Sequence, residues 1–427
     1  MNPKLLVKNN IFVIPYTEKG EGLNIVYLPL HRQAVIATVN DIDDLCDGLK
    51  GKSEVSPTAR QIISILQQER LKIYETPRSI DGLLNMMILP NSRCNFKCSY
   101  CYSAQGRNGK EIDPNTLRAA LDYFLGKNRA SDQRLTISIL GGGEPMLSWH
   151  LLKPALDYAY RLAEKRGMAL PVSLVTNGSI VTDDLIDYCL SHDISVSVSF
   201  DILEDVQNSQ RGHYSEVVDN INRLTDAGID VAFNTVITND NVDRMTEMIR
   251  HMNDVTPKVK KVSFKSLISG DYFSTVERRR EYYCHSIDNF FEARKVAADL
   301  GIYLTSPYLN SVICVADRYC PGKFVVGAEG TVSICHCVSS KNDKLYQSHT
   351  FASFDADGRL IVDKEKFAEI QNHDQNFYPR CAECEARWHC AGGCYTDNCT
   401  MSADEHDAYC DSMRYFLKKY ILTYLLK

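Results

Sequence analysis

Three cysteines, Cys94, Cys98 and Cys101, are separated by three and then by two residues. They follow an apolar run at residues 83–89, so the pattern predicts a short loop after a strand. Cysteine thiolates hold iron–sulfur clusters, and a cubic cluster usually takes four of them. Three thiolates on one loop would leave the fourth iron open to a small molecule. The stretch therefore predicts a metal site at which small-molecule chemistry takes place.

The spacing resembles the cluster loop of the radical S-adenosylmethionine (SAM) enzymes, CxxxCxxC with an aromatic residue before the last cysteine. Tyr100 is that aromatic residue here. The resemblance implies a [4Fe–4S] cluster on the three cysteines, with the amine and carboxylate of SAM on the open iron. It also implies that one electron cleaves SAM to a 5′-deoxyadenosyl radical, which abstracts hydrogen from a substrate. The protein would bind, orient and shield these groups.

The loop belongs to a region, residues 83–302, in which predicted strands and helices alternate. The patterns predict strands at 83–89, 135–140, 172–175, 195–200, 230–237 and 261–267, and helices at 115–126, 149–166, 182–192, 215–227, 241–252 and 276–300. Six strand–helix units favour a parallel sheet with helical crossovers. No dinucleotide-binding fingerprint follows the first strand. The predicted fold class is α/β, with the partial (β/α)6 TIM-type barrel that the resemblance implies.

Further motifs stand where predicted strands end, which is where barrels of this kind gather their catalytic residues. A glycine-rich segment, residues 141–145, follows the second strand, Asn177 follows the third and Ser199 ends the fourth. Within the segment, Gly142-Gly143-Glu144 and the proline after them resemble the family's GGEP motif. Glycines allow a ligand to approach the backbone closely. The resemblance implies that this motif contacts the amino group of SAM, and that Asn177 and Ser199 hydrogen-bond its ribose or carboxylate.

Two charged residues further along the chain are also candidates. Arg211 resembles an arginine that pairs with the SAM carboxylate, a group that the guanidinium fork matches. A solvated surface arginine is the alternative. Asp201 either contacts substrate or caps the helix that follows it.

Sixteen cysteines are the unusual feature of the composition. Disulfide scaffolds are usually short and secreted, so metal binding is favoured in this chain of 427 residues. The C-terminal spacing is Cys320-x9-Gly330-x4-Cys335, then Cys381-x2-Cys384-x5-Cys390-x3-Cys394, then Cys410. It resembles the SPASM extension, the cysteine-rich auxiliary-cluster domain of peptide-modifying radical SAM enzymes. A hairpin predicted at 323–326 and 331–334 returns the chain to its starting point and brings Cys335 near Cys320.

The resemblance implies two auxiliary [4Fe–4S] clusters. The first would use Cys314, Cys320, Cys335 and Cys394, and the second would use Cys381, Cys384, Cys390 and Cys410. Four thiolates each would close both clusters to substrate, which favours a role in electron transfer or site architecture. Two zinc sites are the competing metal interpretation. Cys337 and Cys399 lie beside these ligands and are either incidental or able to exchange with one of them.

Residues 1–82 form a separate α+β region. The patterns predict strands at 11–16, 23–28 and 34–39, a turn at 19–22, and helices at 41–49 and 57–70. The region resembles the small winged-helix peptide-recognition modules of peptide-modifying enzymes, and a plain structural cap is the alternative. Residues 83–305 would then form the radical SAM barrel and residues 306–427 the auxiliary-cluster domain.

The bulk composition restricts the possible partners. The net charge of −6 gives no indication of a nucleic acid or an anionic membrane. The N-terminal residues lack a signal peptide, and no apolar run is long enough to span a bilayer. We therefore expect a cytoplasmic enzyme that takes electrons from a reductant such as flavodoxin or ferredoxin.

The resemblance leaves the reaction open. In the anaerobic sulfatase maturases, which form formylglycine, an aspartate that acts as base follows the cysteine equivalent to Cys335. This chain has His336 there, either a substitute base or only a hairpin residue. Other relatives cross-link side chains of ribosomally made peptides, and the N-terminal region favours that class, because a leader peptide needs a docking surface such as a strand edge. A non-catalytic electron carrier or peptide-binding protein is the remaining alternative, which the intact cluster loop and Glu144 oppose.

Overall fold

The structure is a computed structural model that describes residues 2–19, 22–126, 134–267 and 272–426. The turn expected at residues 19–22 lies in part outside these ranges. The strands are β1 Phe12–Pro15, β2 Leu23–Leu28, β3 Gln33–Thr38, β4 Asn85–Ile88, β5 Thr136–Ile139, β6 Val172–Thr176, β7 Ser195–Ser199, β8 Val231–Ile237, β9 Lys261–Ser266, β10 Tyr303–Thr305, β11 Phe324–Val326, β12 Thr331–Ser333, β13 Thr350–Phe354 and β14 Leu360–Val362.

The helices follow the strands in the alternation that the sequence predicts. They are α1 Pro3–Lys8, α2 Val39–Gly48, α3 Pro57–Leu66, α4 Pro114–Phe124, α5 Trp149–Lys165, α6 Asp183–His192, α7 Glu204–Gln210, α8 Tyr214–Asp226, α9 Met245–Val255, α10 Val276–Asp299, α11 Pro307–Val312, α12 Tyr346–His349, α13 Lys364–Gln371, α14 Arg387–Cys390, α15 Tyr395–Asn398 and α16 Ala403–Tyr420. No helix in the described ranges has both the length and the apolar character that crossing a membrane requires.

Strands β4 to β9 lie side by side in chain order and are parallel, as expected of a partial barrel. The structure adds the short parallel strand β10 next to β9. On the other side, β11 pairs in parallel with β4, and β12 to β14 continue the sheet with antiparallel pairing. The hairpin predicted in the cysteine-rich region is therefore joined directly to the first strand of the barrel.

The barrel strands alternate between two faces. In β7, Val196 and Val198 are buried in the main hydrophobic core with the helices, whereas Ser197 and Ser199 are only half-buried. Successive strand residues point to opposite sides, so the serines line the side away from the core. We call this second side of β4–β9 the inner face. The same alternation in β6 and β8 makes the inner face continuous.

The N-terminal region has its own antiparallel sheet, in the order β1-β2-β3, and its own small hydrophobic core. Helix α3 ends at Leu66, so the helix predicted to run to residue 70 was too long. The reason is a tertiary contact: the amide of Leu71 donates to the carbonyl of Leu30 (2.7 Å), which turns the chain back towards the sheet.

The N-terminal region is docked on the cysteine-rich domain. The hydroxyl of Tyr27 in β2 bonds to Nε2 of His389 (2.6 Å), and Trp388 Nε1 donates to Asn10 Oδ1 (2.8 Å). Arg32 donates to the carbonyl of Ile313. These bonds tie the N-terminal region to helix α14, which ends at Cys390, and to the chain just before Cys314.

Candidate active site

The cluster loop, residues 94–102, lies at the C-terminal end of β4. The amide of Cys101 donates to the carbonyl of Cys98 (3.2 Å), which folds the loop into a tight turn. The amide of Ser99 donates to the carbonyl of Gln210 (2.9 Å), and the Tyr272 hydroxyl donates to the carbonyl of Ser99 (2.5 Å). The structure therefore brings the three predicted cluster cysteines together on a loop that neighbouring segments hold in place.

An arginine that the sequence did not single out reaches this loop. Arg107 Nη2 donates to Cys101 Sγ (3.1 Å), and Nη1 donates to the carbonyl of Phe96 (3.3 Å). Burial raises the pKa of the Cys94 and Cys98 thiols. Hydrogen bonds to cluster sulfurs are one of the factors that set a cluster's reduction potential. Arg107 is six residues past the last cysteine, and nothing in that spacing predicts the contact.

The GGEP segment packs against the start of the cluster loop. A side chain at Gly142 would place its Cβ 2.6 Å from the carbonyl oxygen of Asn91, and at Gly143 the Cβ would lie 1.7 Å from the carbonyl oxygen of Arg93. The Glu144 amide donates to that same Arg93 carbonyl (2.7 Å). Only glycine permits this approach of two loops.

Glu144 braces the ends of β5 and β6. Its side chain is 2% exposed and accepts hydrogen bonds from the Thr176 hydroxyl (2.6 Å), the Asn177 amide (2.8 Å) and the Met146 amide (3.2 Å). Burial raises the pKa of Glu144, and these hydrogen bonds oppose the rise. The carboxylate thus holds the pocket together, and its direct contact with the SAM amine stays a prediction.

Asn177 also reaches the cluster loop. Its Nδ2 donates to Asn95 Oδ1 (2.9 Å), and its Oδ1 accepts from the Ser179 hydroxyl (2.6 Å). Ser199 lies at the end of β7 on the inner face and is half-buried. Both residues therefore lie at the barrel end that carries the cysteines, as the resemblance implies.

A buried chain of polar groups links the cluster loop to the end of β7. The Tyr100 hydroxyl donates to Asp201 Oδ2 (2.6 Å) and accepts from Arg211 Nη1 (2.8 Å). Burial raises the pKa of Asp201, and the nearby Arg211 guanidinium opposes that rise. The capping role considered for Asp201 is wrong, because Leu203 is the N-cap of α7. Asp201 is fully buried, and its contact with substrate stays a prediction.

Arg211, in the same chain of polar groups, has a donor that could bind SAM. Arg211 Nε is buried and has no hydrogen-bond partner among the described residues. Burial alone would lower the pKa of Arg211, but Tyr100 and Asp201 together raise it, so the guanidinium stays charged. A charged donor left free beside the cluster loop fits an anionic group such as the SAM carboxylate.

The cysteines of the first predicted auxiliary set meet around Lys323. Its ammonium donates to Cys320 Sγ (3.2 Å), and its pKa is raised first by Cys320 and also by Cys335 and Cys394. Cys314, the fourth member, is exposed. Cys337 lies close to Cys335 and lowers the pKa of its thiol.

The second set, Cys381, Cys384, Cys390 and Cys410, also comes together. Burial raises the pKa of Cys390, and Cys410, Cys384 and Cys381 raise it further in that order, so all four thiols are neighbours. Across the described ranges, no three His, Cys, Asp or Glu side chains converge as tightly as a single metal ion requires. Both the cluster and the zinc interpretations of the C-terminal cysteines stay predictions.

His336 follows Cys335 in the sequence and contacts the cluster loop. Its ring packs edge-on against Tyr102 of the cluster loop (centroids 5.6 Å apart). Its Nδ1 is buried without a hydrogen-bond partner among the described residues. This position near the cluster loop is compatible with a base, and that role stays a prediction.

Comparisons with known proteins show a family match, similar sequences and similar structures. Residues 88–252 match the model of the Radical SAM superfamily. The cysteine-type anaerobic sulfatase-maturating enzyme of Clostridium novyi (strain NT) is 22% identical, over 81% of this chain and 97% of its own length. The structure of native anSMEcpe with bound AdoMet is similar with a TM-score of 0.63 at 19% identity, over 80% of this chain and 98% of that chain. Streptococcus suis SuiB bound to precursor peptide SuiA gives a TM-score of 0.53 at 12% identity, over 93% of this chain and 97% of that chain.

The matched residues include the strands and loops that hold Cys94, Cys98 and Cys101, the GGEP segment and Arg211. The solved structures share the fold, a mostly parallel sheet in a partial barrel. The chain therefore contains a radical SAM domain over residues 88–252 and is an enzyme, similar in sequence to the anaerobic sulfatase maturase of Clostridium novyi and in fold to anSMEcpe and SuiB.

Proposed function

We propose that the protein matures a ribosomally made peptide by radical chemistry, most simply by cross-linking two of its positions. The observation that carries the proposal is that the N-terminal region forms a separate sheet, docked on the cysteine-rich domain, in which no described strand pairs with the outer side of β3. When bound, the cluster and SAM supply a carbon-centred radical that abstracts hydrogen from the peptide. The residues of this chain hold those groups and exclude water around them.

Each part of the pocket has a distinct task in this proposal. Cys94, Cys98 and Cys101 hold the cluster, and Arg107 fixes the loop through Cys101. Arg211 offers its free Nε to the SAM carboxylate.

The amino end of SAM faces the glycine-rich side of the pocket. There Gly142 and Gly143 let this segment pack against the backbone that leads into the cluster loop, while Glu144 and Asn177 hold the segment in place for the methionyl group. Ser199 would complete the pocket with a hydrogen bond to the ribose.

The C-terminal cysteines would hold two auxiliary clusters. The resemblance assigns the fourth position of the first cluster to Cys314, whereas the contacts favour Cys337, which lies against Cys335. The second cluster would use Cys381, Cys384, Cys390 and Cys410. With four thiolates each, both would transfer electrons or shape the substrate site without binding substrate at iron.

Iron content distinguishes the two candidates for the fourth ligand. We expect Cys337→Ala to lose about four irons per chain, one cubic cluster, and Cys314→Ala to keep them. The measurement is iron and sulfide analysis of protein purified and reconstituted without oxygen, with Cys399→Ala as the matched control. The opposite result, loss only in Cys314→Ala, would return the assignment to Cys314.

The edge of β3 is the surface that we propose for a leader peptide. Among the described residues no strand pairs with the outer side of β3. The other edge, β1, contains Pro15, which lacks an N–H group for strand addition. Ile36 of β3 is 38% exposed. An extended peptide added here gains main-chain hydrogen bonds and an apolar side-chain contact.

We expect Ile36→Asp to weaken binding of the candidate precursor peptide by about tenfold, because burying one such side chain contributes about 1.5 kcal/mol or more. Ile361→Asp is the matched control, since Ile361 is also exposed but lies on β14. Fluorescence anisotropy with a labelled candidate precursor peptide gives the affinities. Equal affinities for both variants would remove β3 as the docking edge.

The catalytic part of the proposal is tested with the same peptide. Reduced, reconstituted protein with SAM and the peptide should form 5′-deoxyadenosine, and the peptide should lose two hydrogen atoms. If SAM is cleaved and the peptide is unchanged, the enzyme acts on another substrate. If no 5′-deoxyadenosine forms under any condition, the non-catalytic alternative holds.

Sulfatase maturation is the second candidate function. It is favoured by the match to the Clostridium novyi maturase, which spans nearly the whole of that enzyme. His336 would then act in place of the aspartate base. Conversion of a cysteine or serine in a sulfatase-derived peptide to formylglycine would establish it.

A further inference from the structure

The inner face of the barrel carries no carboxylate on the described strands β4–β9. Most of its half-buried positions hold small hydroxyl and amide side chains, and the others include apolar residues. The polar ones are Asn85, Thr136, Ser138, Ser173, Ser197, Ser199, Asn234 and Ser263, and the apolar ones are Met87, Val175, Ala232 and Val236. The carboxylates of Glu144 and Asp201, at the same end of the barrel, are buried and already bonded. The face therefore offers no internal partner to a positive charge.

One lysine nevertheless lies on this face. Ser199 pairs with Asn234, and Asn234 pairs with Ser263, which makes one row across β7, β8 and β9. Lys265 is two residues further along β9, opposite Val236. Because the strands are parallel, this next row is closer to the end at which the cluster loop stands. Lys265 thus belongs to the inner face, just past the row that contains Ser199.

The ammonium of Lys265 has no hydrogen bond and no ion pair within the described part of the chain, although the residue is half-buried. Burial lowers its pKa, and the positive charge of Lys323 lowers it further. Lys323 precedes β11, which is on the far side of the sheet from β9, so the two lysines face each other across the barrel. A half-buried cation without a partner is unfavourable unless a ligand brings an anion.

The side of the barrel near β4, opposite Lys265, is apolar. Leu89, Leu140 and Val325 form a small apolar cluster, with Met87 and Val175 packed against it. A ligand in this barrel therefore meets a cation on the β9 side and apolar side chains on the β4 side.

From this arrangement we infer that Lys265 binds a carboxylate of the substrate, and that the modified peptide segment contains an acidic residue next to an apolar one. The inference rests on the proposed peptide-modifying function and names the substrate class of that site. An ammonium–carboxylate contact in a partly dehydrated site is a charge-assisted bond, about twice as strong as a neutral one.

The test compares two short probe peptides, acetyl-Gly-Glu-Leu-Gly-amide and its glutamine counterpart. Calorimetric titration into the reconstituted holoenzyme with SAM should show tighter binding of the glutamate peptide, by about tenfold, since a charged hydrogen bond contributes about 1.5 kcal/mol. Lys265→Met should remove this preference and Lys265→Arg should keep it. Lys261→Met is the matched control, because Lys261 is on the same strand but pairs with Asp230 at the other end (2.6 Å).

A second measurement uses the unaltered enzyme. A pulse of acetic anhydride followed by mass spectrometry should acetylate Lys265, and the glutamate peptide should protect it where the glutamine peptide does not. Equal affinities of the two peptides, or equal protection, would overturn the inference. So would a Lys265→Met variant that binds SAM more weakly yet keeps the peptide preference, because the lysine would then serve SAM.

Failure of this inference is separate from failure of the proposed function. Formation of 5′-deoxyadenosine with the precursor peptide tests the function alone. If that reaction proceeds while the probe peptides bind equally, only the acidic-substrate inference falls.

Discussion

Replacing Cys98 with alanine should abolish the formation of 5′-deoxyadenosine from SAM by the reduced, reconstituted protein. Cys98 is the middle one of the three cysteines on the cluster loop, and its neighbours cannot replace it because the loop is fixed. Ser99, the next residue, is held on both sides by Gln210 and Tyr272. Two thiolates on a rigid loop cannot hold three corners of a cubic cluster. We expect the product to fall to the level of a reaction without protein.

The matched control is Cys284→Ala, which removes an exposed cysteine on α10. It should keep the wild-type rate and the wild-type iron content. Electron paramagnetic resonance of the reduced protein separates loss of the cluster from loss of SAM binding, because only the cluster at this loop should change its signal when SAM is added. Product formation by Cys98→Ala above the protein-free level would remove this loop from the reaction.

The six barrel strands could be predicted because each is a short segment with regularly spaced apolar residues, bounded by a turn or a helix. The six predicted strands β4–β9 occur with small shifts at their ends. The pairing of β11 with β4 could not be predicted, because it joins residues 324–326 to residues 86–88 and no local pattern encodes so distant a contact. The short β10 was missed for a related reason, since three residues are too few to show periodicity.

Within the site, residues in family motifs could be placed from the sequence, and their contacts could not. The three cysteines and the GGEP segment lie at the same barrel end, as expected because barrels of this kind gather catalytic residues at the C-terminal ends of their strands. The bonds from Tyr100 to Asp201 and from Arg107 to Cys101 depend on how loops fold towards one another. The positions of these residues in the sequence do not show how the loops fold, so they do not predict these two bonds.

Lys265 shows a different limit of sequence interpretation. In most strands, alternation of apolar and polar residues places the polar ones in solvent. In this barrel the apolar residues point outward under helices, and the polar ones line the interior. Lys261 and Lys265 have the same parity on β9, yet one is exposed and the other is half-buried beside the site. The two lysines differ in exposure because Lys261 is at the start of β9 and Lys265 is near the end that faces the site.

The second large effect is expected at Gly143. A methyl group there would lie 1.7 Å from the carbonyl oxygen of Arg93 and 2.4 Å from its carbonyl carbon, both backbone atoms next to Cys94. Because backbone cannot rotate away, Gly143→Ala must push the GGEP segment and the cluster loop apart. A displacement of about 1 Å in a catalytic geometry can lower the rate about a hundredfold. We expect a loss of that size in 5′-deoxyadenosine formation, with destabilisation of about 1–3 kcal/mol from overpacking.

Gly167→Ala separates this effect from a general loss of stability. Gly167 follows α5, has φ +64° and has no atom within 4 Å of an added Cβ. Its replacement by alanine should cost about 1–2 kcal/mol through left-handed backbone strain and leave the rate unchanged. Thermal unfolding and product formation are measured on both variants, because similar losses of stability with different rates identify a local displacement. A Gly143→Ala enzyme that turns over like Gly167→Ala would mean that the two loops need not touch for SAM cleavage.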